Sequence, residues 1–378
     1  MSGSRLVFKE GLEDIVATAS DICYIDGEQG VLSYRGYDIH DLALGTSFEE
    51  VAHLLWFGKF PSRAELGQLR AAIAAERNLP MDLLALMSSQ MRSALPMDVL
   101  RTVTSMLSMY DSDLSNNSYE ANVRRSLRLL AQFTTIIAAF DRLRKGLEVV
   151  PPRPDLDHAA NFLYMLTGKV PDSTSARGLD IALVLHADHE LNASTFAARV
   201  TASTLTDMYS AITSGIGALK GPLHGGANEA VMRMLLEIEQ PDRVERYLRD
   251  AFAQKRKIPG FGHRVYRTED PRATHLRQMS KELGEQTGHV KLFQISRQIE
   301  EIVKWEKGLN CNVDFYSGSV YYMLGIAIDL FTPVFAISRI SGWTAHVLEQ
   351  LKHNRLIRPR AEYTGLPYPQ KLAPLEQR

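Results

Sequence analysis

Three short runs in this sequence combine turn-forming residues with side chains that can take up or donate a proton. The runs are residues 220–228 around His224, residues 259–267 around His263 and residues 310–315 around Asp314. Glycines beside each histidine let a ligand approach the backbone closely. Any one run alone is typical of an ordinary turn with a polar residue. The occurrence of all three along the edges of one polar segment favours a functional site.

The side chains of these runs suit one kind of chemistry. A carboxylate such as Asp314 can act as a general base, and a neutral imidazole can donate a hydrogen bond to a developing oxyanion. Together they suit removal of a proton next to a carbonyl group. Because such a carbon acid is too weak for a carboxylate alone, one histidine must stabilise the enol or enolate. The second histidine can then polarise the carbonyl group of an acceptor.

Several arginines are candidates for holding a carboxylate-rich substrate. Arginine binds carboxylates through two parallel hydrogen bonds, so a polycarboxylate would use more than one. Arg272 and Arg358 can equally be solvated surface charges. Arg339 lies in the apolar run 331–340, and a charge buried there needs a partner.

Motifs for other chemistry are weak or missing in the sequence. Residues 186–190 are dense in metal-ligand types, but the order is H-x-x-H-E, and neither cysteine lies near them. The pair of glycines at 260 and 262 has Val265 where a dinucleotide motif needs its third glycine, and no βαβ unit surrounds it. We therefore expect no metal and no nucleotide cofactor.

The elements that must position these residues are mostly helices. Residues 22–34 predict one hairpin, with residues 26–30 as its turn. Ser47 and Ser62 each precede a glutamate by three residues, which is the signature of a capped helix start. Residues 179–219 are rich in small residues, which suits closely packed, buried helices. The sequence predicts an all-α protein with a small N-terminal β-hairpin.

Composition excludes several classes of protein. The 378 residues include 43 Lys and Arg against 44 Asp and Glu, so the net charge is −1. This balance supplies no overall field for nucleic acid or an anionic membrane surface. Two cysteines cannot form a disulfide scaffold, the first residues lack the apolar stretch of a secretory signal, and residues 320–337 are too interrupted to span a membrane. We expect a soluble cytoplasmic protein with no nucleic-acid or membrane partner.

At these residues the sequence resembles the citrate synthase family, and most closely its short bacterial and archaeal form. The similar stretches are GPLHGGAN at 221–228, PGFGHRVY at 259–266, DPRA at 270–273, NVDFYSG at 312–318, ISGW at 340–343 and RPRAEYTG at 358–365. The order is that of the family, and the similarity covers essentially the whole chain. The resemblance implies a citrate-synthase fold, with residues 1–222 and 317–378 as a large dimerisation domain and residues 223–316 as a smaller inserted helical domain.

The resemblance also implies an activity in the tricarboxylic acid cycle. It is a Claisen-type condensation of acetyl-CoA with oxaloacetate through an enol, followed by hydrolysis of citryl-CoA to citrate and CoA. Asp314 would take the methyl proton, His224 would stabilise the enol, and His263 would hydrogen-bond the ketone and protonate the new alkoxide. No metal and no permanently bound cofactor would be needed, since acetyl-CoA is a co-substrate.

Binding residues are implied in the same way. Oxaloacetate would be held by His189, Arg272 and Arg339, with Arg358 reaching across a homodimer interface into the neighbouring site. The CoA adenine would rest on the backbone of Pro259, Gly260, Phe261 and Gly262, and its phosphates would meet Lys257, Arg264 and Arg267. Whether such dimers assemble into larger oligomers is left open by the sequence.

Three alternative functions can be considered. The first stays open, and the sequence opposes the other two. A 2-methylcitrate synthase using propionyl-CoA differs by one methylene, which a pocket discriminates by only about 1–3 kcal/mol. A non-catalytic helical protein is opposed by the intact set of His224, His263 and Asp314. Nucleic-acid binding through the basic stretch 352–360 is opposed by the lack of interleaved stacking aromatics there.

Overall fold

A computed structural model describes residues 9–13 and 15–378 of the chain. Residues 1–8 and 14 fall outside this description, and the expectation about the N-terminal segment rests largely on them. The described residues form sixteen α-helices, which confirms the predicted all-α class. They are α1 Ile39–Gly45, α2 Phe48–Phe57, α3 Arg63–Glu76, α4 Met81–Gln90, α5 Pro96–Leu107, α6 Tyr119–Arg144, α7 His158–Thr167, α8 Ser173–His186, α9 Ala193–Ala202, α10 Met208–Leu219, α11 Ala227–Ile238, α12 Val244–Ala253, α13 Pro271–Thr287, α14 Val290–Lys307, α15 Val313–Met323 and α16 Phe331–Lys352.

The predicted hairpin is present as part of a slightly larger sheet. Strands β1 (Cys23–Asp26) and β2 (Val31–Tyr34) pair antiparallel, with Cys23 opposite Tyr34. Asp26 Oδ1 closes the turn by accepting from the backbone N–H groups of Glu28 and Gln29 at 3.0 and 2.9 Å. A third strand, β3 (Tyr37–Asp38), pairs with β2. It escaped prediction because two residues are too few to show a period of two.

The predicted helix starts at Ser47 and Ser62 are confirmed. Each serine caps its helix in a reciprocal arrangement with the glutamate three residues later, Glu50 for α2 and Glu65 for α3. Such caps satisfy backbone N–H groups that have no partner inside the helix. These two local signals were sufficient to place both helix starts.

Helix α16 lies at the centre of the largest apolar core. It packs against α6, α9, α10, α2 and α8, and Trp343 near its middle is fully buried. The small-residue stretch 179–219 forms α8, α9 and α10, as predicted, and α9 packs closely on α10. Gly215 of α10 shows why small residues are needed, because a Cβ there would lie 3.3 Å from the Trp343 ring.

The polar segment that follows α10 folds into helices that pack mainly on one another. Helix α13 packs against α15 and α14, and α11 packs against α15. Further contacts join α13 to α8 and α1, and α11 to α16. The predicted domain boundary at 316/317 falls inside the continuous helix α15. The division into a large and a small domain stays a prediction. Across the described part of the chain, no helix is long and apolar enough to cross a membrane.

Candidate active site

His224 lies in the glycine-rich loop between α10 and α11, where its ring is held by a residue of α9. The backbone N–H of Ser194 donates to His224 Nε2 at 3.3 Å, and Ser194 Oγ lies 2.7 Å from the same nitrogen. A neutral imidazole that accepts at Nε2 carries its proton on Nδ1. Burial, reinforced by the nearby charge of Arg339, lowers the pKa of His224 to about 4. The ring is therefore neutral near pH 7 and offers Nδ1–H as a donor.

The support behind His224 comes from distant parts of the chain. Ser194 is fully buried, its Oγ lies 2.7 Å from Asn192 Oδ1, and the same oxygen accepts from Trp343 Nε1 at 3.0 Å. Thr332 Oγ1 also donates to the carbonyl oxygen of Gly225 at 2.9 Å, next to the histidine. Neither Ser194 nor Trp343 lies near His224 along the chain, so no local signal connects them to this histidine.

His263 is held in the opposite tautomer, and by its own turn. Its Nδ1 accepts from the backbone N–H groups of Val265 and Tyr266 at 3.0 and 3.2 Å. The neutral ring therefore carries its proton on Nε2. Burial, with the charge of Arg272 acting in the same direction, lowers the pKa of His263 to about 4. The second predicted histidine is thus also a neutral donor near pH 7.

Asp314 occupies the first turn of α15. The sequence predicted a loop just before a helix at this position. Asn312 caps this helix by accepting the backbone N–H of Asp314 at 3.0 Å. Burial raises the pKa of Asp314 to about 6, although the charges of Arg272 and Arg339 act in the lowering direction. A carboxylate with a pKa near 6 is a stronger base than an ordinary aspartate and is still mostly ionised at pH 7.

The His263 turn and the start of α15 are fastened to each other. Gly262 N–H donates to Asn310 O, and Asn312 N–H donates to Gly260 O, both at 2.9 Å. Gly260 has φ +81°, and a Cβ there would lie 2.8 Å from Val231 and 2.9 Å from Phe315. Only glycine fits this crossing. The contact fixes the His263 turn relative to the Asp314 helix.

Arg272 is buried at the N-terminus of α13 and paired with a residue that the sequence analysis did not single out. Its Nε and Nη2 bind the two oxygens of Asp270 at 2.9 and 2.8 Å. Asp270 also accepts the backbone N–H of Val313 at 3.0 Å, beside Asp314. The pKa of Asp270 stays below its ordinary value despite burial, because Arg272 stabilises the carboxylate. Asp270 therefore joins the α13 guanidinium to the first turn of α15.

Arg339 is the second buried guanidinium. It lies on α16 with 1% of its surface exposed, and its Nε donates to the carbonyl oxygen of His186 at 2.8 Å. Its guanidinium carbon lies 4.7 Å from the centre of the Phe335 ring. Across residues 9–13 and 15–378 it has no carboxylate in ion-pair contact, and burial lowers its pKa. A buried cation without a carboxylate is suited to binding an anionic ligand.

His189 completes the cluster of predicted substrate-binding residues. Its Nε2 lies 3.2 Å from the hydroxyl of Tyr266, and its ring centre lies 5.3 Å from that of His263. Burial, together with the charge of Arg272, lowers its pKa well below the ordinary value. Tyr266 is the last residue of the stretch PGFGHRVY, but no role was predicted for it.

Electrostatic coupling shows that these side chains form one cluster. The charge of Arg272 acts to lower the pKa values of His189, His263 and Asp314. The charge of Arg339 acts in the same direction on His189, His224 and Asp314. The backbone of residues 259–262 borders the cluster through its contact with residues 310–312. Four other predicted residues stay on the exposed surface of the single chain: Lys257, Arg264, Arg267 and Arg358.

The metal-like run 186–190 has its side chains directed to separate partners. His186 Nδ1 lies 2.7 Å from its own helix carbonyl at Ala182, and Asp188 lies 3.2 Å from His346. Elsewhere, ligand atoms of Glu269, Glu300 and Cys311 lie within 4.8 Å of one another. The guanidinium of Arg277 contacts both of those carboxylates. The negative charge at that cluster is thus already matched by a cation.

A helical fold that gathers neutral imidazoles, a basic carboxylate and two buried guanidinium groups defines an enzyme of the acid–base class acting on an anionic substrate. Residues 11–360 match the family described as citrate synthase, C-terminal domain. The sequence is 52% identical over 369 residues to Citrate synthase 2 of Bacillus subtilis (strain 168), covering 97% of this chain and 98% of that protein. The chain belongs to the citrate synthase family.

Two further relatives bear on substrate and fold. The 2-methylcitrate synthase of Shewanella oneidensis is 39% identical over 379 residues and covers 100% of both chains. A solved ternary complex of carboxymethyl coenzyme A and oxaloacetate with citrate synthase from Thermoplasma acidophilum superposes with a TM-score of 0.91. That chain is 32% identical, and the match covers 98% of this chain and 100% of that one. The predicted citrate-synthase fold is thereby confirmed.

Proposed function

We propose that this chain is a citrate synthase that condenses acetyl-CoA with oxaloacetate and hydrolyses the resulting thioester. The observation that carries the proposal is the pair of neutral histidines with opposite tautomers, which share the neighbouring charges of Arg272 and Arg339 with Asp314. One ring offers Nδ1–H and the other offers Nε2–H. A reaction that generates an enol and then an alkoxide needs two such donors and one base.

In the first step, the Asp314 carboxylate takes a proton from the methyl group of acetyl-CoA. The electron pair of that C–H bond forms the C=C bond of the enol. His224 Nδ1–H donates to the thioester oxygen, where negative charge develops. Because the pKa of Asp314 is raised to about 6, the proton transfer is less uphill than with an ordinary aspartate.

In the second step, the enol carbon attacks the ketone carbon of oxaloacetate. His263 Nε2–H donates to the ketone oxygen and transfers its proton to the alkoxide as the C–C bond forms. Arg272, Arg339 and His189 hold the carboxylates of oxaloacetate, since two buried guanidinium groups favour anions there. Water then cleaves citryl-CoA into citrate and the CoA thiol.

We also propose a homodimer with two domains in each chain, in which Arg358 completes the partner's oxaloacetate site. Arg358 is exposed in the single chain and follows the last residue of α16. The segment after it exposes large apolar side chains, which favours a covering surface. They are Tyr363, Leu366, Tyr368, Leu372 and Leu375. Light scattering after size exclusion distinguishes a monomer, a dimer and larger assemblies.

The CoA contacts and the cellular setting are parts of the same proposal. The backbone of Pro259, Gly260, Phe261 and Gly262 receives the adenine, and the exposed side chains of Lys257, Arg264 and Arg267 are available to phosphates. No permanently bound cofactor takes part. We place the enzyme in the cytoplasm and in the tricarboxylic acid cycle, because both cysteines are free, as suits a reducing compartment.

A second candidate activity uses propionyl-CoA and forms 2-methylcitrate. The similarity to a 2-methylcitrate synthase favours testing it, and one methylene changes the specificity by only about 1–3 kcal/mol. The two substrates are compared by the kcat/KM for CoA thiol release in the presence of oxaloacetate. A higher kcat/KM for propionyl-CoA would replace the primary proposal by the second one.

The assignment of the base is tested with Asp314→Ala. We expect turnover to fall by about 10³-fold or more, because the carboxylate takes part in the first bond change, while oxaloacetate still binds. Asp82→Ala is the matched control, since Asp82 is exposed on α4, which is far from Asp314 in the sequence. Unchanged turnover in Asp314→Ala would overturn the assignment, and absence of thiol release from the parent with either substrate would overturn the function.

A further inference from the structure

Two histidines outside the candidate active site meet across a helix–helix contact. His40 Nδ1, on α1, lies 2.8 Å from His275 Nε2, on α13. Their ring centres are 4.9 Å apart, and the ring planes are inclined by 46°. His40 is exposed and His275 is half-buried, so a small ion in solution can reach both nitrogens.

The approach of two imidazole nitrogens to one point matches the chemistry of a transition-metal ion. An imidazole–metal bond is about 2.0–2.1 Å long, so two ligands of one tetrahedral ion lie slightly more than 3 Å apart. The pair therefore needs to open by about half an ångström from its present 2.8 Å. His40 is exposed on its own helix, so this movement disturbs little of the core.

The charge around the pair also favours a cation. Asp38 caps α1 by accepting the backbone N–H of His40 at 2.8 Å. Burial and the neighbouring imidazole of His40 lower the pKa of His275, and the negative charge of Asp38 opposes that shift. This carboxylate adds negative charge beside the pair, which favours a bound cation.

We propose that His40 and His275 form a site for a divalent transition-metal ion that links α1 to α13. Both imidazoles bind as neutral ligands, His40 through Nδ1 and His275 through Nε2, and water fills the remaining positions. Their protons then lie on His40 Nε2 and His275 Nδ1, so binding to the neutral pair releases no net proton. Hard cations such as Mg²⁺ prefer oxygen ligands and bind poorly here.

The proposed metal site lies next to the helix that carries Arg272 of the active-site cluster. Helix α13 begins with Pro271 and carries the buried Arg272 in the same turn as His275. The contact between α1 and α13 joins the N-terminal part of the chain to the predicted small domain. An ion at this contact would therefore restrain α13, and this part of the inference rests on the proposed function.

Binding is tested by calorimetry with NiCl₂ on the full-length chain, freed of any polyhistidine tag. We expect one Ni²⁺ per chain, no comparable signal with MgCl₂, and a loss of affinity of about tenfold or more in His40→Ala and in His275→Ala. His353→Ala is the matched control, because His353 is exposed beyond α16. Equal Ni²⁺ affinity and stoichiometry in the parent and both variants would overturn the site.

The link to turnover is measured separately, as loss of the acetyl-CoA thioester absorbance in the presence of oxaloacetate. We expect saturating Ni²⁺ to lower kcat in the parent and to leave His40→Ala unaffected. Equal inhibition of both proteins would overturn the restraint on α13. Calorimetry needs no substrate, so a failure of the metal site is distinguishable from a failure of the proposed activity.

Discussion

The two histidine loops reach similar chemistry by different means. The His263 ring is held by backbone N–H groups two and three residues further along its own turn. The His224 ring is held by Ser194 on another helix, with Trp343 of α16 behind it. Both rings have a pKa of about 4, and they present opposite nitrogens as donors.

This difference separates local from long-range control of a catalytic group. A turn that binds its own side chain depends on backbone shape, so glycines and nearby contacts decide its function. A ring held by a distant helix depends on core packing, so a substitution far along the chain can change its chemistry. Gly260→Ala and Ser194→Ala test the distinction, in order of the size of the expected free-energy change.

Gly260→Ala is expected to have the largest effect, since it distorts the locally held loop. The added Cβ meets Val231 and Phe315 in a backbone conformation with φ +81°, which costs about 3–4 kcal/mol of unfolding free energy. Urea denaturation measures this loss, and kcat/KM falls with it. Gly67→Ala is the control, because a Cβ in the middle of α3 meets nothing within 4 Å. Equal stability of Gly260→Ala and the parent would contradict the local constraint.

Ser194→Ala affects the loop that is held from a distance. It removes the hydroxyl beside His224 Nε2 and leaves the Trp343 indole N–H without its acceptor. We expect kcat/KM to fall about 100-fold, which equals about 2.7 kcal/mol. Ser89→Ala is the control, because that exposed serine bonds only to carbonyls of its own helix. A loss below threefold would show that the backbone N–H of residue 194 alone positions the ring.

Asp314→Asn changes the stability in the opposite direction. The pKa of Asp314 is raised to about 6 by burial, so the ionised carboxylate destabilises the fold above that pH. The amide should therefore increase the unfolding free energy at pH 8 by about 3 kcal/mol, while abolishing activity. This gain should shrink as the pH falls through about 6 and disappear below about 4, where both the folded and the unfolded carboxyls bind the proton. A gain that is independent of pH would contradict a titrating origin.

The same shift predicts the acidic side of the activity profile. In the parent, kcat/KM should fall as the pH drops through about 6, because the base becomes protonated. Both histidines stay neutral in that range, since their pKa values are about 4. An acidic midpoint near 4 would contradict the raised pKa of Asp314, since an ordinary aspartate titrates there.

The sequence was sufficient for features with local signals. Serine–glutamate spacing located the starts of α2 and α3, and glycine-flanked histidines identified both loops. No role was predicted for Ser194, Asp270 or Tyr266, although Asp270 and Tyr266 lie inside the quoted stretches, because each contacts a partner that only folding brings close. The role of Arg358 was implied by resemblance and stays a prediction, since the single chain leaves it exposed.

The contact between Phe261 and Cys311 also bears on how the protein folds. It closes a segment of about 50 residues, and closing such a loop is repaid only after the intervening helices have formed. The turn that holds His263 should therefore reach its final shape late, after α13 and α14 have packed. In a refolding experiment, enzyme activity should return later than the helical circular-dichroism signal, even though the His263 bonds are local.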